Sequence, residues 1–238
     1  MANHYTTQGF IFRKDASGEA DRIFVAFTRD FGKLQLFAKA IRKITSKLKG
    51  GIEIFCVSEF SFIQGKNRKT LTDANFIEKF TATDLSPEKL ETAYRIAGLL
   101  ENFVKGQEPD EKIWDALLDF FKKLSDSRPS RHHQQLLYYY FFWNFASLLG
   151  YRPEFSACAL CTGRLEPFNL YFSSRHGGIL CQICGANENN GQKISADAVK
   201  VIRLFLKNDW RVISKLKAEQ ILLEALEKIS KDYENYLL

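Results

Sequence analysis

The chain's 238 residues, 45% of them hydrophobic, suffice for one large domain or two to three small ones with packed cores. Leu136 to Leu149 is the longest apolar cluster, contains Trp143 and Asn144, and is too short to span a membrane. Met1 to Tyr5 lacks a basic start followed by an apolar run, so no secretory signal is expected. The formal net charge of +6 is unevenly spread. From Phe31 to Thr70 lie Lys33, Lys39, Arg42, Lys43, Lys47, Lys49, Lys66, Arg68 and Lys69, opposed only by Glu53 and Glu59. Such a region attracts nucleic acid or an anionic protein tail, unless it is simply a solvated face.

In chain order, Thr7 to Phe12 reads as a short strand, followed by the polar turn Asp15 to Glu19. Ile23 to Phe27 and Lys33 to Phe37 continue the pattern, with a turn at Thr28 to Gly32 between them. The basic segment Lys39 to Lys49 follows. Ile52 to Val57 and Glu59 to Ile63 are two further strand candidates, and the loop Gln64 to Lys69 leads to Thr70–Thr72. Five or so short strands imply a small barrel, of which the oligonucleotide-binding (OB) fold is one form. Lys33, Lys39, Arg42, Lys43, Lys47, Lys66, Arg68 and Lys69 are the expected phosphate-binding set. Phe31, Phe37, Phe60 and Phe62 are stacking candidates, although an aromatic on an alternating strand usually belongs to the core.

At Ser86 the pattern turns helical: Ser86 as N-cap, Pro87 in the first turn, and Glu88 near the positive helix end. A helix is expected up to Gly106. A second starts near Asp110, with Ile113, Trp114, Leu117, Phe120, Phe121 and Leu124 buried. The third, Arg131 to Leu149, carries Tyr138 to Trp143 and Phe145, so it should be buried on more than one side, with Gly150 as its C-cap. After a polar loop at Glu188 to Gly191, Ser195 caps a further helix. Leu216 to Leu237 reads as the last, with Ile221, Leu222, Ala225, Leu226, Ile229, Tyr233 and Tyr236 facing inward.

Between these helices, Cys158-Ala-Leu-Cys161 and Cys181-Gln-Ile-Cys184 are two paired thiols joined by a short loop. That spacing suits a closed four-thiolate zinc site with no open catalytic position. Phe168, Leu170, Tyr171, Phe172, Ile179 and Leu180 are expected to cover it. Two disulfides, or four reduced structural cysteines, are the rival readings. His132 and His133 lack metal-ligand spacing to the cysteines; His176 lies inside the ribbon loop and could replace one thiolate, but four cysteines already complete the shell, and Cys56 reads as a core thiol. No phosphate loop, dinucleotide fingerprint, His-Glu-x-x-His pair or Gly-x-Ser-x-Gly elbow occurs, so enzyme activity is not expected.

The sequence resembles the bacterial RecO family of DNA-repair recombination mediators across nearly its whole length. The first matching block includes Gly18 to Arg22, Thr28, Gly32–Lys33, Ala38 to Lys43 and Ser46. The second includes Leu149 to Pro153, Cys158 to Cys161, Phe172, Gly177–Gly178, Cys181 and Cys184. Lys49 to Glu53 departs from the family, which usually has an apolar, often proline-containing stretch there. The resemblance implies an α+β multidomain protein: an OB-fold barrel at residues 1–80 and a helical domain at 81–238. A four-cysteine zinc ribbon at 154–188 is inserted before the C-terminal helices, its metal structural. The implied role is non-enzymatic. Such proteins bind single- and double-stranded DNA, anneal complementary strands, and with RecR, sometimes with RecF, help load RecA on DNA coated by single-stranded DNA-binding protein (SSB).

A cytoplasmic, nucleoid-associated location follows from that role. For the acidic C-terminal tail of SSB, the expected contacts are Arg128, Arg131, Gln134, Gln135 and Tyr138. The alternative is a generic zinc-ribbon module that binds nucleic acid or protein without annealing.

Overall fold

Phe10, Ile11 and Phe12 are consecutive and all buried, as are Phe24 to Phe27, so these strands must be covered on both faces. The computed structural model, which describes residues 3–43, 46–80, 85–188 and 191–238, shows how. Strands β1 (Asn3–Ser17), β2 (Asp21–Thr28), β3 (Gly32–Ala38), β4 (Cys56–Gln64) and β5 (Lys69–Lys79) form a closed barrel in the order β1-β2-β3-β5-β4. It is an OB-fold barrel: β4 returns to β1 antiparallel, while β3 meets β5 in parallel. Ile11, Phe24, Ala26, Leu34, Leu36, Phe60, Phe62 and Leu71 fill the interior.

Helices α1 (Pro87–Phe103) and α2 (Glu111–Asp126) belong to the same compact unit, Met1–Asp126. Phe121 of α2 lies 4.3 Å, ring to ring, from Phe10 on the outer face of β1. Ser86 caps α1 through the Lys89 N–H, and Asp110 accepts from the Ile113 N–H at the start of α2. All six residues expected to be buried on α2 are buried.

The two strands expected at Ile52–Val57 and Glu59–Ile63 are a single strand, β4. Phe55 has φ +58°, which breaks the extended backbone, and its N–H donates to the Ile11 carbonyl; the strand begins only at Cys56. Ahead of it, a 3₁₀ turn at Lys47–Gly50 sends Leu48 into the barrel core. Gly51 lies so close to β5 that a Cβ on it would sit 1.6 Å from the Ala74 carbonyl oxygen. That approach accounts for glycine where a different stretch was expected. Gly32 combines φ +60° with a similar approach to the Glu108 carbonyl.

The second compact unit is Ser127–Leu238. Helix α3 (Arg131–Leu148) is its axis, and Leu136 to Trp143 are buried without a break, as expected of a central helix. Strands β6 (Leu170–Ser173), β7 (Gly178–Leu180) and β8 (Gln192–Ile194) form a sheet in the order β7-β6-β8, with the short helix α4 (Gln182–Ala186) beside it. Helices α5 (Ala196–Leu206), α6 (Trp210–Ile213) and α7 (Gln220–Leu237) complete the unit. Asn144 donates to the Phe205 carbonyl on α5, and Tyr138 donates to Glu234 on α7.

The last helix starts later than expected: the chain turns at Ser214 and Lys215 and runs without helix from Leu216 to Glu219. Its buried face is Leu223, Leu226, Ile229, Ser230 and Tyr233, while Ile221 and Tyr236 point outward. Of the polar loop at Glu188 to Gly191, Asn189 and Asn190 lie outside the described residues, as do Thr81 to Asp84 at the boundary placed after residue 80. Among the described residues no helix is long and apolar enough to cross a membrane.

Candidate nucleic-acid interface and four-cysteine centre

The outer face of β3 is set by its alternation. Leu34, Leu36 and Ala38 point into the barrel, so Lys33, Gln35 and Phe37 point out. Across the ladder, Phe37 pairs with Ile23 on β2 and Thr70 on β5, and Thr70 pairs with Ile63 on β4. All four are partly exposed. The guanidinium of Arg68, from the β4–β5 loop, lies 4.0 Å from the centre of the Phe37 ring.

Beside this row is a cleft of about 460 Å³ between the β4–β5 loop and the segment joining α1 to α2. Among the described residues its lining includes Lys33, Lys66, Arg68, Lys69 and Lys105 but no carboxylate. Lys33 is already engaged: its ammonium donates to the Glu101 carbonyl at 2.9 Å and pairs with the Glu101 carboxylate at 3.2 Å. The same carboxylate holds Arg13 at 2.9 Å.

Lys39, Arg42, Lys43 and Lys47 are exposed on the segment between β3 and β4. Arg42 donates from its guanidinium to the Glu19 carbonyl and from its backbone to Ala20, tying that segment to the β1–β2 turn. The cations thus emerge near the loops that flank the binding face of OB-fold barrels. Of the aromatic candidates, Phe60 and Phe62 are core, and Phe31 packs edge-on against Tyr5 and Phe62. Phe37 alone of the four stands on the outer face.

The four cysteines come together as their spacing predicts. The Sγ atoms of Cys158, Cys161, Cys181 and Cys184 all lie within 4.8 Å of one another, and all four are free thiols. Four sulfurs about 2.3 Å from a tetrahedral zinc would stand about 3.8 Å apart, and Cys161 and Cys181 stand 3.9 Å apart. A disulfide would require about 2.05 Å. Each pair sits on a tight turn: Thr162, at φ +58°, donates to the Cys158 carbonyl, and Gly185 donates to Cys181. A Cβ on Gly185 would meet the Tyr171 ring at 2.2 Å, so only glycine lets the second turn close on β6.

Burial opposes ionisation of Cys158, but backbone hydrogen bonds from Cys161, Cys181 and Leu160 outweigh it and lower the thiol to about 6. Desolvation, followed by hydrogen bonds and charge from the neighbouring sulfurs, raises Cys184 to about 12. Four thiolates this close need a cation to ionise together. The soft donor set and its size fit a closed structural metal site. His176 pairs instead with Glu188 at 3.0 Å, and Phe168 is exposed rather than covering the cysteines.

The partner-binding candidates do not form one surface. Gln134 is buried and donates to Ser127 and to the Arg128 carbonyl, and Tyr138 is buried against α7. Arg131 is exposed and Gln135 half-buried on α3. Arg128 does line one, of about 440 Å³, with His132, Leu136, Lys215, Leu216 and Lys217.

Lys105 and Lys215–Lys217 were not among the expected site residues. Each lies in a short connection next to a helix end, Lys105 just before Gly106 and Lys217 just before α7, and a cation in such a place was the available signal.

The family model described as Recombination protein O N terminal matches residues 1–80, and that described as Recombination protein O C terminal matches residues 85–238. The chain belongs to the RecO family. A DNA repair protein RecO of Dehalococcoides mccartyi is 35% identical over 94% of this chain and 86% of its own. Those of Acetivibrio thermocellus and Pelotomaculum thermopropionicum are 27% and 26% identical over 97% and 98% of this chain, and 90% and 89% of theirs. The recombination-mediator role of the RecO family is consistent with a barrel bearing exposed cations.

Proposed function

We propose that this RecO-family protein is a non-enzymatic recombination mediator that binds single- and double-stranded DNA and anneals complementary strands. With RecR, and with RecF in some settings, it helps RecA load on SSB-coated DNA. The observation that carries this reading is the set of exposed cations on the barrel's loops, Lys39, Arg42, Lys43, Lys47, Lys66 and Arg68, in a chain of this family. Lysine and arginine on phosphates position DNA without reading its sequence, and neutralising two backbones lowers the repulsion that opposes annealing. Lys33, held by Glu101, tunes this surface more than it touches DNA.

The functional boundary is placed after residue 80, with DNA contacts in the barrel and partner contacts in 81–238. The acidic SSB tail is assigned to the cleft at Arg128, where Lys215 and Lys217 supply charge and Leu136 and Leu216 apolar contact. Arg131 lies outside its lining and would act at most as a steering charge. The metal held by Cys158, Cys161, Cys181 and Cys184 is zinc, and its role is to fold the ribbon. The protein works in the cytoplasm, associated with the nucleoid.

The deciding experiment is annealing of complementary oligonucleotides coated with SSB, its tail intact or deleted. Tail-dependent annealing that collapses in Arg42→Glu/Lys43→Glu is the expected result. DNA binding without annealing would instead leave a generic zinc-ribbon nucleic-acid module, and unchanged annealing in the double variant would reject the barrel loops as the DNA site.

A further inference from the structure

The Arg68–Phe37 pair has a geometry that phosphate binding alone does not require. A lysine can neutralise a phosphate as a point charge, whereas a guanidinium 4.0 Å from a ring centre can stack on that ring and offer its other planar face to a second one. Arg68 lines the 460 Å³ cleft and Phe37 does not. The cleft volume lies in the range of sites for small organic groups. Around it stand Lys66, Lys69 and Lys105, with the side-chain amides of Gln35 and Gln107.

We propose that this cleft is a subsite for one unpaired nucleotide, its base stacked on Arg68 with Phe37 as the backing ring. The flanking phosphates are held by Lys66 and Lys69 from the barrel and by Lys105 from the segment between α1 and α2. Gln35 and Gln107 offer donors and acceptors to the base edge. This inference rests on the DNA-binding reading above and adds a distinction within it. A duplex keeps its bases stacked inside and cannot use the subsite, so Arg68 and Phe37 favour single strands, while the exposed cations serve both forms. The DNA surface also extends beyond the barrel, to Lys105.

The test is fluorescence anisotropy of the full-length protein with a short oligothymidylate and with the same backbone carrying abasic sites, across a salt series. Wild-type protein should bind the base-bearing strand about tenfold more tightly than the abasic one, the range expected of base stacking on a planar side chain. Arg68→Lys keeps the charge and should lose most of that difference while retaining the salt slope; Phe37→Leu should do the same more weakly. Lys105→Gln should keep the difference and flatten the salt slope by about one.

Equal wild-type affinity for both strands, or an undiminished difference in Arg68→Lys, would overturn the stacking subsite while leaving DNA binding intact. An unchanged salt slope in Lys105→Gln would remove the helix linker from the surface. Absence of binding to either strand at low salt would sink the DNA-binding reading as well.

Discussion

The ring of Trp143 on α3 stacks on that of Tyr233 on α7, with centroids 5.3 Å apart and planes 14° from parallel. Trp143 also donates its indole N–H to Ser230 at 3.1 Å and meets Phe155 and Phe172 edge-on. One side chain thereby joins the central helix, the closing helix and a strand of the ribbon. Trp143→Ala should cost about 3–5 kcal/mol of stability in this unit. Trp143→Phe should cost less, its penalty including a buried Ser230 hydroxyl without that partner. Denaturant unfolding followed by circular dichroism measures both.

The cysteine cluster predicts one zinc per chain and a defined pH dependence. Cys184, raised to about 12, carries its proton throughout the neutral range, so metal binding must displace it; Cys158, lowered to about 6, gives up its proton earlier. Apparent zinc affinity should therefore keep rising with pH through the neutral range, where Cys184 still has a proton to lose, with protons released on binding. Competition with a chromophoric chelator reads the affinity, and elemental analysis the stoichiometry. Zinc removal, or Cys158→Ser, should abolish hydrogen-exchange protection in β6 and β7 first.

Gly50 and Gly51 are adjacent and predict opposite outcomes. A Cβ at Gly51 would meet the Ala74 carbonyl, whereas one at Gly50 has nothing within 4 Å. Gly51→Ala should destabilise the barrel by about 1–3 kcal/mol, the usual range for overpacking. Gly50→Ala should be close to neutral. Thermal melts of the two variants side by side supply the comparison.

Burial pushes the Cys56 thiol up to about 11, opposed by hydrogen bonds with Ser58 and Glu53. A raised thiol pKa means the unfolded chain ionises first. The contribution is fully present below about pH 9, the ordinary thiol value, and is lost as pH rises towards 11. At neutral pH, native protein treated with a maleimide should leave Cys56 unmodified, with labelling only after unfolding, as mass spectrometry of peptides would show.

The cleft at Arg128 predicts how an acidic peptide binds. Lys215→Glu/Lys217→Glu should weaken a labelled SSB-tail peptide roughly tenfold or more, with the loss greatest at low salt. Arg131→Glu should change affinity much less. Equal losses in the two variants would move the tail site towards the start of α3.

Local chemistry made much of this legible. Ser86–Pro87 announces α1, the apolar spacing from Ile113 to Leu124 describes the buried face of α2, and two Cys-x-x-Cys pairs announce one sulfur cluster. What escaped depended on distant partners. Ile221 and Tyr236 fit an apolar stripe, yet the buried face of α7 is set by α3 and α5, and it is Leu223 and Ser230 that turn inward. Phe55 breaks a strand-like run because its backbone must reach Ile11. Lys33 belongs to the basic set by sequence, but Glu101, far along the chain, claims its charge. Arg68 and Lys105 share a cleft that only the folded unit creates.

Closure of the barrel has a consequence for biosynthesis. β1 leaves the ribosome first, but β4, its second neighbour, begins only at Cys56, and β5 must still slot in between β3 and β4. Until then the nascent β1-β2-β3 meander presents two unpaired edges, each a template for another growing chain. The last steps join residues remote in sequence, which makes them slow beside the formation of α1 and α2. The aggregation hazard of this protein therefore lies in its half-made form, and crowded polysomes are where it is greatest.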